Sequence, residues 1–248
     1  MNNKKSIFTY IIACIFTQSL ISCNDDFVST QPLEEVPKEV TWGDPALAEA
    51  FVFEIYNGLG QGGFDEEMQS SLTDESMFTH PGRGINTITE SRSNPADQGM
   101  IKDSYGYGPL YGRIRACNIA IENLTEPLFT DNGRANNLLG QAYFLRAYYY
   151  QQLLRFYGGV PLIDRVYELG EDDYMAERNS YEECVNFIVN DCDRAAELLT
   201  GGSRAAGRAT DVAALALKAR VLLYAASDLH DIPTANSKAT TMAGYDAP

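Results

Sequence analysis

The sequence predicts an all-α protein of stacked, tetratricopeptide-like helix pairs interrupted by long irregular excursions. Three observations carry that prediction. Several segments repeat apolar residues every three to four positions and are bracketed by cap residues, as helices with a buried side do. One of them, from about Ala135 to Tyr157, carries two adjacent stripes and must pack on two sides. The first stripe is Leu138, Ala142, Leu145, Tyr149, Leu153 and Phe156, and the second is Leu139, Tyr143, Ala147, Tyr150 and Leu154. Between helices, Gly60, Gly62, Gly63, Pro81, Gly82, Gly84, Pro95 and Gly99 fall among Ser, Thr, Asn and Asp, and periodicity fails. The full tetratricopeptide consensus is absent, so the architecture rests on this pattern.

The chain opens with an export signal over residues 1–22. Lys4 and Lys5 precede an apolar run from Ile7 to Leu20, which closes on Leu20-Ile21-Ser22-Cys23. A basic start, a short apolar centre and small residues at the exit define a secretory signal. A spanning helix needs roughly 20 clean apolar residues, and Thr9, Thr17, Gln18 and Ser19 interrupt this run. The ending resembles the lipobox of bacterial lipoproteins, in which the leader is cut ahead of the cysteine. Cys23 would then carry the lipid. Acyl chains add about 0.8 kcal/mol per buried CH₂, and more than one makes attachment stable. Residues 23–42 read as a tether, because Asn24-Asp25-Asp26 is acidic and Pro32 and Pro37 break regular structure. Residues 43–248 form the helical body.

That body begins at Asp44-Pro45, an N-cap followed by proline at the first helical position. Leu47, Phe51 and Ile55 mark one face, and Gly58 and Gly60 end the helix. The stretch from Leu59 to about Asp103 follows. Roughly forty residues without periodicity are a functional loop region or disorder. Phe64, Met68, Leu72, Met77, Phe78 and Ile85 argue that part of it packs. Tyr107, Tyr111, Ile114, Asn118, Ile121 and Leu124 then predict a second helix. The two-striped helix ends at Gly158-Gly159, with Val160 to Ile163 as an extended exit. Ser180 and Glu183 form a capping box, and Val185, Ile188, Cys192, Ala195 and Leu199 face inward behind it until Gly201-Gly202. The last helix, about Thr210 to Ser227, has only Lys218 and Arg220 as charges between Val212 and Ala226. A helix apolar nearly all round belongs at the centre of a protein. The chain stops at Pro248, so the sequence reads as incomplete, with a following segment expected to cover this helix.

Composition narrows the partners. The net charge is −15, from 19 basic and 34 acidic residues. Loss of residues 1–22 removes Lys4 and Lys5 and no acid, leaving 17 against 34, or −17. Nucleic acid and anionic lipid both require basic patches and are poor partners for such a chain. Fifteen tyrosines and eleven phenylalanines are a large aromatic supply beside that acidity. Of five cysteines, Cys14 leaves with the signal and Cys23 is the anchor, leaving Cys117, Cys184 and Cys192. Cys184 and Cys192 lie about 12 Å apart along one helix, too far for a disulfide. Buried free thiols are expected. With only His80 and His230, and no HExxH, GxSxG or glycine-rich phosphate loop, nothing local supports catalysis. No Cys/His spacing suggests zinc, and Asp74-Glu75 lacks EF-hand spacing. No cofactor or metal is expected.

Three segments together resemble the SusD/RagB family of surface nutrient-binding lipoproteins. The most specific runs from Gln141 through Phe144-Leu145-Arg146-Ala147 and Tyr148-Tyr149-Tyr150 to Tyr157-Gly158-Gly159-Val160-Pro161-Leu162. The second is Gly207-Arg208-Ala209-Thr210, leading through Lys218-Ala219-Arg220 to Tyr224-Ala225-Ala226-Ser227. The third, Tyr111-Gly112-Arg113-Ile114-Arg115-Ala116-Cys117-Asn118, is similar to the family's Tyr-x-x-Ile-x-x-x-Asn helix. The resemblance implies a scaffold of helix pairs that docks on a SusC-like TonB-dependent transporter in the outer membrane. It also implies excursions that bind glycan, or peptide in some branches, without catalysis, and members roughly twice this length. Where relatives often carry tryptophans before the third segment, this chain has Tyr105 and Tyr107, and its only tryptophan is Trp42.

The resemblance places Arg146 and Arg155 in the scaffold as buried or stacked arginines. Tyr148 to Tyr150 are expected in the core rather than as a ligand platform, because successive residues point in different directions around a helix. Asn118 and Asn123 are expected to satisfy helix-end or inter-helix amides. Sugars stack an apolar ring face on an aromatic while planar amides and guanidiniums bind the hydroxyls. Arg83, Asn86, Asn94 and Tyr105 supply those chemical types in the irregular region and are the candidate ligand contacts. The expected function is glycan or oligosaccharide capture by a surface lipoprotein working with a transporter. The alternatives are a peptide-binding member of the same architecture and a lipid-anchored helical-repeat adaptor with no small ligand.

Overall fold

The computed structural model describes residues 37–59, 69–80, 84–94, 96–168, 170, 174–202 and 205–230. The chain divides into a unit of residues 1–37 and a unit of residues 38–248, and the fold described is that of the second. Helices α1 (Lys38–Gly43) and α2 (Pro45–Ile55) meet at Asp44, whose side chain accepts the Ala46 amide at 2.7 Å. Residues 38–42, placed in the tether on composition, are therefore folded. Trp42 is the reason: it is 3% exposed, with its ring 5.0 Å from that of Phe51. Burying an indole outweighs a polar local composition.

Two short helices, α3 (Ile85–Thr89) and α4 (Ile101–Tyr105), lie in the stretch read as irregular. The scaffold proper is α5 (Tyr107–Thr125), α6 (Asn132–Tyr157), α7 (Tyr181–Leu199) and α8 (Asp211–Ala225). Each packs on the next, and α2 packs against α5 and α6. The central α6 is thus covered on two sides, as its stripes require. Leu138, Leu145, Tyr149 and Leu153 are buried from one stripe, and Leu139, Ala147, Tyr150 and Leu154 from the other. Close approach of α6 and α7 depends on Gly140, where a Cβ would stand 2.9 Å from the Leu199 side chain. Among the described residues there is no β-strand, and no helix is long and apolar enough to cross a membrane.

The caps form as their residues dictate. The Glu183 amide donates to the Ser180 hydroxyl at 3.2 Å, and the Ser180 amide donates to the Glu183 carboxylate at 2.7 Å. The bond from the Ser180 amide holds the Glu183 carboxyl below its ordinary range, with the Ser180 hydroxyl adding to it. The Thr210 hydroxyl accepts the Ala213 amide at 3.1 Å and starts α8. Cys117, Cys184 and Cys192 are free and buried, as expected. Burial pushes the Cys192 thiol up to about 12 and raises Cys117, which keeps both protonated and unreactive.

Among the described residues, α8 is covered on one side. Ala214, Leu217 and Val221 are buried, while Val212, Leu215, Leu222, Leu223 and Tyr224 are exposed. The helix packs chiefly on α7, so one face is covered while its opposite side stays apolar.

Candidate functional site

Two glycines close the excursion that precedes α5. Gly84 and Gly99 have φ of 78° and 62°, the left-handed region that favours residues lacking a Cβ. They also touch: a Cβ on either would collide with the other's backbone or its neighbour's. The Met100 amide donates to the Gly84 carbonyl at 3.3 Å. Within this lobe Asn94 organises a turn. Its Oδ1 accepts the amides of Ala96 and Asp97 at 2.9 and 3.1 Å, and the Asn94 and Asp97 backbones exchange two further bonds.

The turn delivers Gln98 to the end of α6, where the Tyr157 hydroxyl donates to its Oε1 at 2.8 Å. The Tyr107 ring stacks on Tyr157 with centroids 4.7 Å apart and 18° between planes. Gly106 N-caps α5 without a side-chain hydrogen bond. These groups, with Lys102, line an open cleft of about 470 Å³. Burial, with Tyr107 beside it, raises the Tyr157 hydroxyl, so it stays protonated and donating at neutral pH. Tyr107 is 39% exposed. An accessible aromatic ring beside an amide and an ammonium is the set of groups that binds a sugar by face and by hydroxyl.

The predicted contacts are placed differently from this cleft. Arg83 and the anchor Cys23 lie outside the described residues. Asn86 is half-buried in α3 and does not line the cleft. Asn94 serves the turn that carries Gln98. Tyr105 packs beneath, its ring 4.7 Å from Phe156 and the Arg155 guanidinium 5.2 Å over it. Gln98, Lys102, Tyr107 and Tyr157 were not among the sequence candidates. Tyr107 had a signal, as one of two tyrosines just ahead of the Tyr111–Asn118 segment. Tyr157 had one too, as part of the family-like Tyr157-Gly158-Gly159 segment. Gln98 had none.

Beneath the loop that leaves α6 lies a buried polar node. Arg146 donates to both Asp191 oxygens at 2.7 and 2.8 Å, and to Asn118 Oδ1 at 2.9 Å. Arg146 is 5% exposed and Asp191 is 4% exposed. Burial pushes the Asp191 carboxyl up, against the pull of the two arginine bonds. Asn118 in turn donates to the carbonyls of Ile163 and Arg165 at 2.9 and 3.1 Å. The Tyr150 hydroxyl donates to Ile163 O at 3.0 Å and accepts its amide at 2.7 Å. Arg146 is thus the scaffold arginine expected, and Arg155 is stacked on Phe156 at 4.4 Å. Asn123 instead donates to Ile119 O on its own helix, at 2.7 Å. Among the described residues, no group of three or more His, Cys, Asp or Glu is placed to hold a metal.

Comparison with known proteins converges on one family. Residues 30–223 match the SusD-like proteins described as starch-binding and associating with the outer membrane. The chain is 24% identical to a SusD-like protein of Formosa agariphila, over 98% of this chain and 46% of that one. It is similar to the crystal structure of a SusD-like protein from Bacteroides fragilis, with TM-score 0.60 and 28% identity, covering 87% of this chain and 41% of that chain. A laminarin-binding SusD-like protein shares the fold, with TM-score 0.63 at 21% identity, over 79% of this chain and 43% of that one. The chain therefore spans less than half the length of these relatives.

Proposed function

The chain belongs to the SusD-like family, and from that premise we propose that it captures glycan or oligosaccharide nutrients at the outer membrane and passes them to a SusC-like TonB-dependent transporter. The observation that carries the reading is the cleft at the start of α5, where the Tyr107–Tyr157 pair and Gln98 combine a ring face with hydrogen-bonding groups. That combination suits a neutral sugar, whose apolar ring face and hydroxyls are satisfied together. The family's description as starch-binding agrees with it. Cys23, at the end of the lipobox-like leader, is the proposed lipid anchor, holding the folded body at the cell surface. The protein's part is capture and transfer, with no bond in the glycan broken.

Calorimetry against maltoheptaose, laminarihexaose and a wider glycan panel tests the reading. Binding is expected from at least one neutral glycan, weakened at least tenfold by Tyr107→Ala, with the thermal transition preserved because that ring is partly exposed. Wild-type protein that binds no saccharide, or that hydrolyses one, overturns it. Radiolabelled palmitate incorporated in wild type and absent from Cys23→Ser checks the anchor.

A further inference from the structure

A second cleft lies along the same side of α5, lined by Tyr111, Ile114, Arg115, Ile163, Tyr167 and Tyr174, with a volume of about 350 Å³. Tyr167 and Tyr174 make an aromatic corner there, with ring centroids 5.7 Å apart and planes at 80°. Tyr174 is 50% exposed, yet held: its hydroxyl donates to Glu168 O at 2.6 Å and accepts the Gly170 amide at 3.0 Å.

The two clefts share a seam. The first is lined by Tyr107 of α5 and Tyr157 at the end of α6, the second by Tyr111 of α5 and Ile163 of the loop that follows. Tyr107 and Tyr111 are one turn apart and touch, with centroids at 5.5 Å. The 157–165 segment is fixed to α5 along its length. Tyr111 donates to Pro161 O at 2.6 Å, and Asn118 holds the carbonyls of Ile163 and Arg165. The second cleft is therefore preformed, because the bonds that shape its floor come from side chains of the α5 scaffold helix. Preformed walls lower the ordering cost of binding. Two exposed guanidiniums line it, Arg115 and Arg165, the latter 4.5 Å over the Tyr167 ring, and both are donors suited to hydroxyl and ring oxygens.

From this geometry we infer that the ligand is an extended oligosaccharide lying along the seam between α5 and the 157–167 segment. One part occupies the Tyr107–Tyr157 cleft and a further part the Tyr167–Tyr174 corner. This rests on the proposed glycan-binding function and adds a second subsite and a chain-length preference. A saccharide that fills one cleft gains one set of contacts. A longer one gains both while its association entropy is lost once, so affinity should rise steeply with length.

The test is calorimetry on the full chain with maltotriose against maltoheptaose and laminaritriose against laminarihexaose. Within the series that binds, the longer member is expected to bind at least tenfold tighter. Tyr174→Ala and Arg115→Ala should reduce the longer ligand to the trisaccharide's affinity and leave the trisaccharide unchanged, whereas Tyr107→Ala should weaken both. Both second-cleft residues are exposed, so an unchanged thermal transition accompanies each variant. Equal affinity for short and long chains, or no effect of either second-cleft variant, overturns the inference and leaves the glycan-binding reading intact. Absence of binding by wild type to every saccharide overturns both.

Discussion

Replacing Asp191 by alanine should be among the most damaging single changes in this fold. The substitution removes the acceptor of two Arg146 bonds, at 2.7 and 2.8 Å, in a site where both side chains are almost fully shielded from water. The guanidinium keeps Asn118 Oδ1 at 2.9 Å and a longer contact to Asp164 O at 3.4 Å, neither of which carries a full negative charge. An uncompensated buried charge of this kind costs about 3–5 kcal/mol. At about 2–4 °C per kcal/mol for a domain of this size, the melting temperature should fall by about 6–20 °C. Scanning calorimetry reads that directly. The control is Arg146→Met combined with Asp191→Leu, which removes both charges and fills the space. It should recover most of the loss, because apolar replacement of a buried pair is often close to neutral. Amide exchange at Ile163 should stay accelerated in this double variant, since Arg146 also orients Asn118 and bonds Asp164 O. A loss below about 1 kcal/mol for Asp191→Ala, or a double variant as unstable as the single one, would refute the argument.

Two further perturbations test the packing and the caps. Gly140→Ala would gain about 0.5–1 kcal/mol in an exposed helix. Here the new Cβ would press on Leu199 and Leu198, so a net loss of about 1–3 kcal/mol is expected in denaturant titration, and a gain would show that α6 and α7 can separate freely. Glu183→Gln acts through pH. Ser180 holds the folded carboxyl below its unfolded value of about 4.3, so the cap's ionic contribution is complete above that pH and is lost as pH falls through the lower folded value. Melting temperature against pH should therefore be flatter for the variant in the acid range, and superimposable curves would contradict the assignment.

Elements specified by neighbours in sequence were legible, and features specified by distant neighbours were not. Asp44-Pro45 and Ser180 with Glu183 each announce a helix start through a bond spanning two or three residues, and each cap forms. The stripes of α6 predict two covered sides because 3.6-residue periodicity is itself local. Sequence spacing does not reveal that Gln98 would meet Tyr157, or Arg146 would meet Asp191, 59 and 45 positions apart. Nor does composition decide which way an aromatic faces. Tyr105 and Tyr107 flank Gly106, where α4 ends and α5 begins, and the change of direction packs one ring onto Phe156 while the other opens to the cleft. The last helix makes the same point through burial. Its apolar residues run all round, and among the described residues the covered side is the one toward α7, because coverage belongs to the neighbouring element.

The polar groups within the family-like segments are directed at loops more than at helices. As far as the packing of α6 on α7 is concerned Arg146 could have been apolar, since apolar replacement of a buried pair is often close to neutral. What an apolar pair cannot do is orient Asn118, whose amide bonds two successive-but-one carbonyls of the loop beyond α6. Tyr150 repeats the logic by bonding both the amide and the carbonyl of Ile163, and Tyr111 by bonding Pro161 O. These groups replace, for an irregular segment, the hydrogen-bond ladder that a strand would supply, and they meet the demand that buried backbone be paired. A helical stack combined with side chains that reach out to fix its loops yields preformed clefts, with no strand among the described residues.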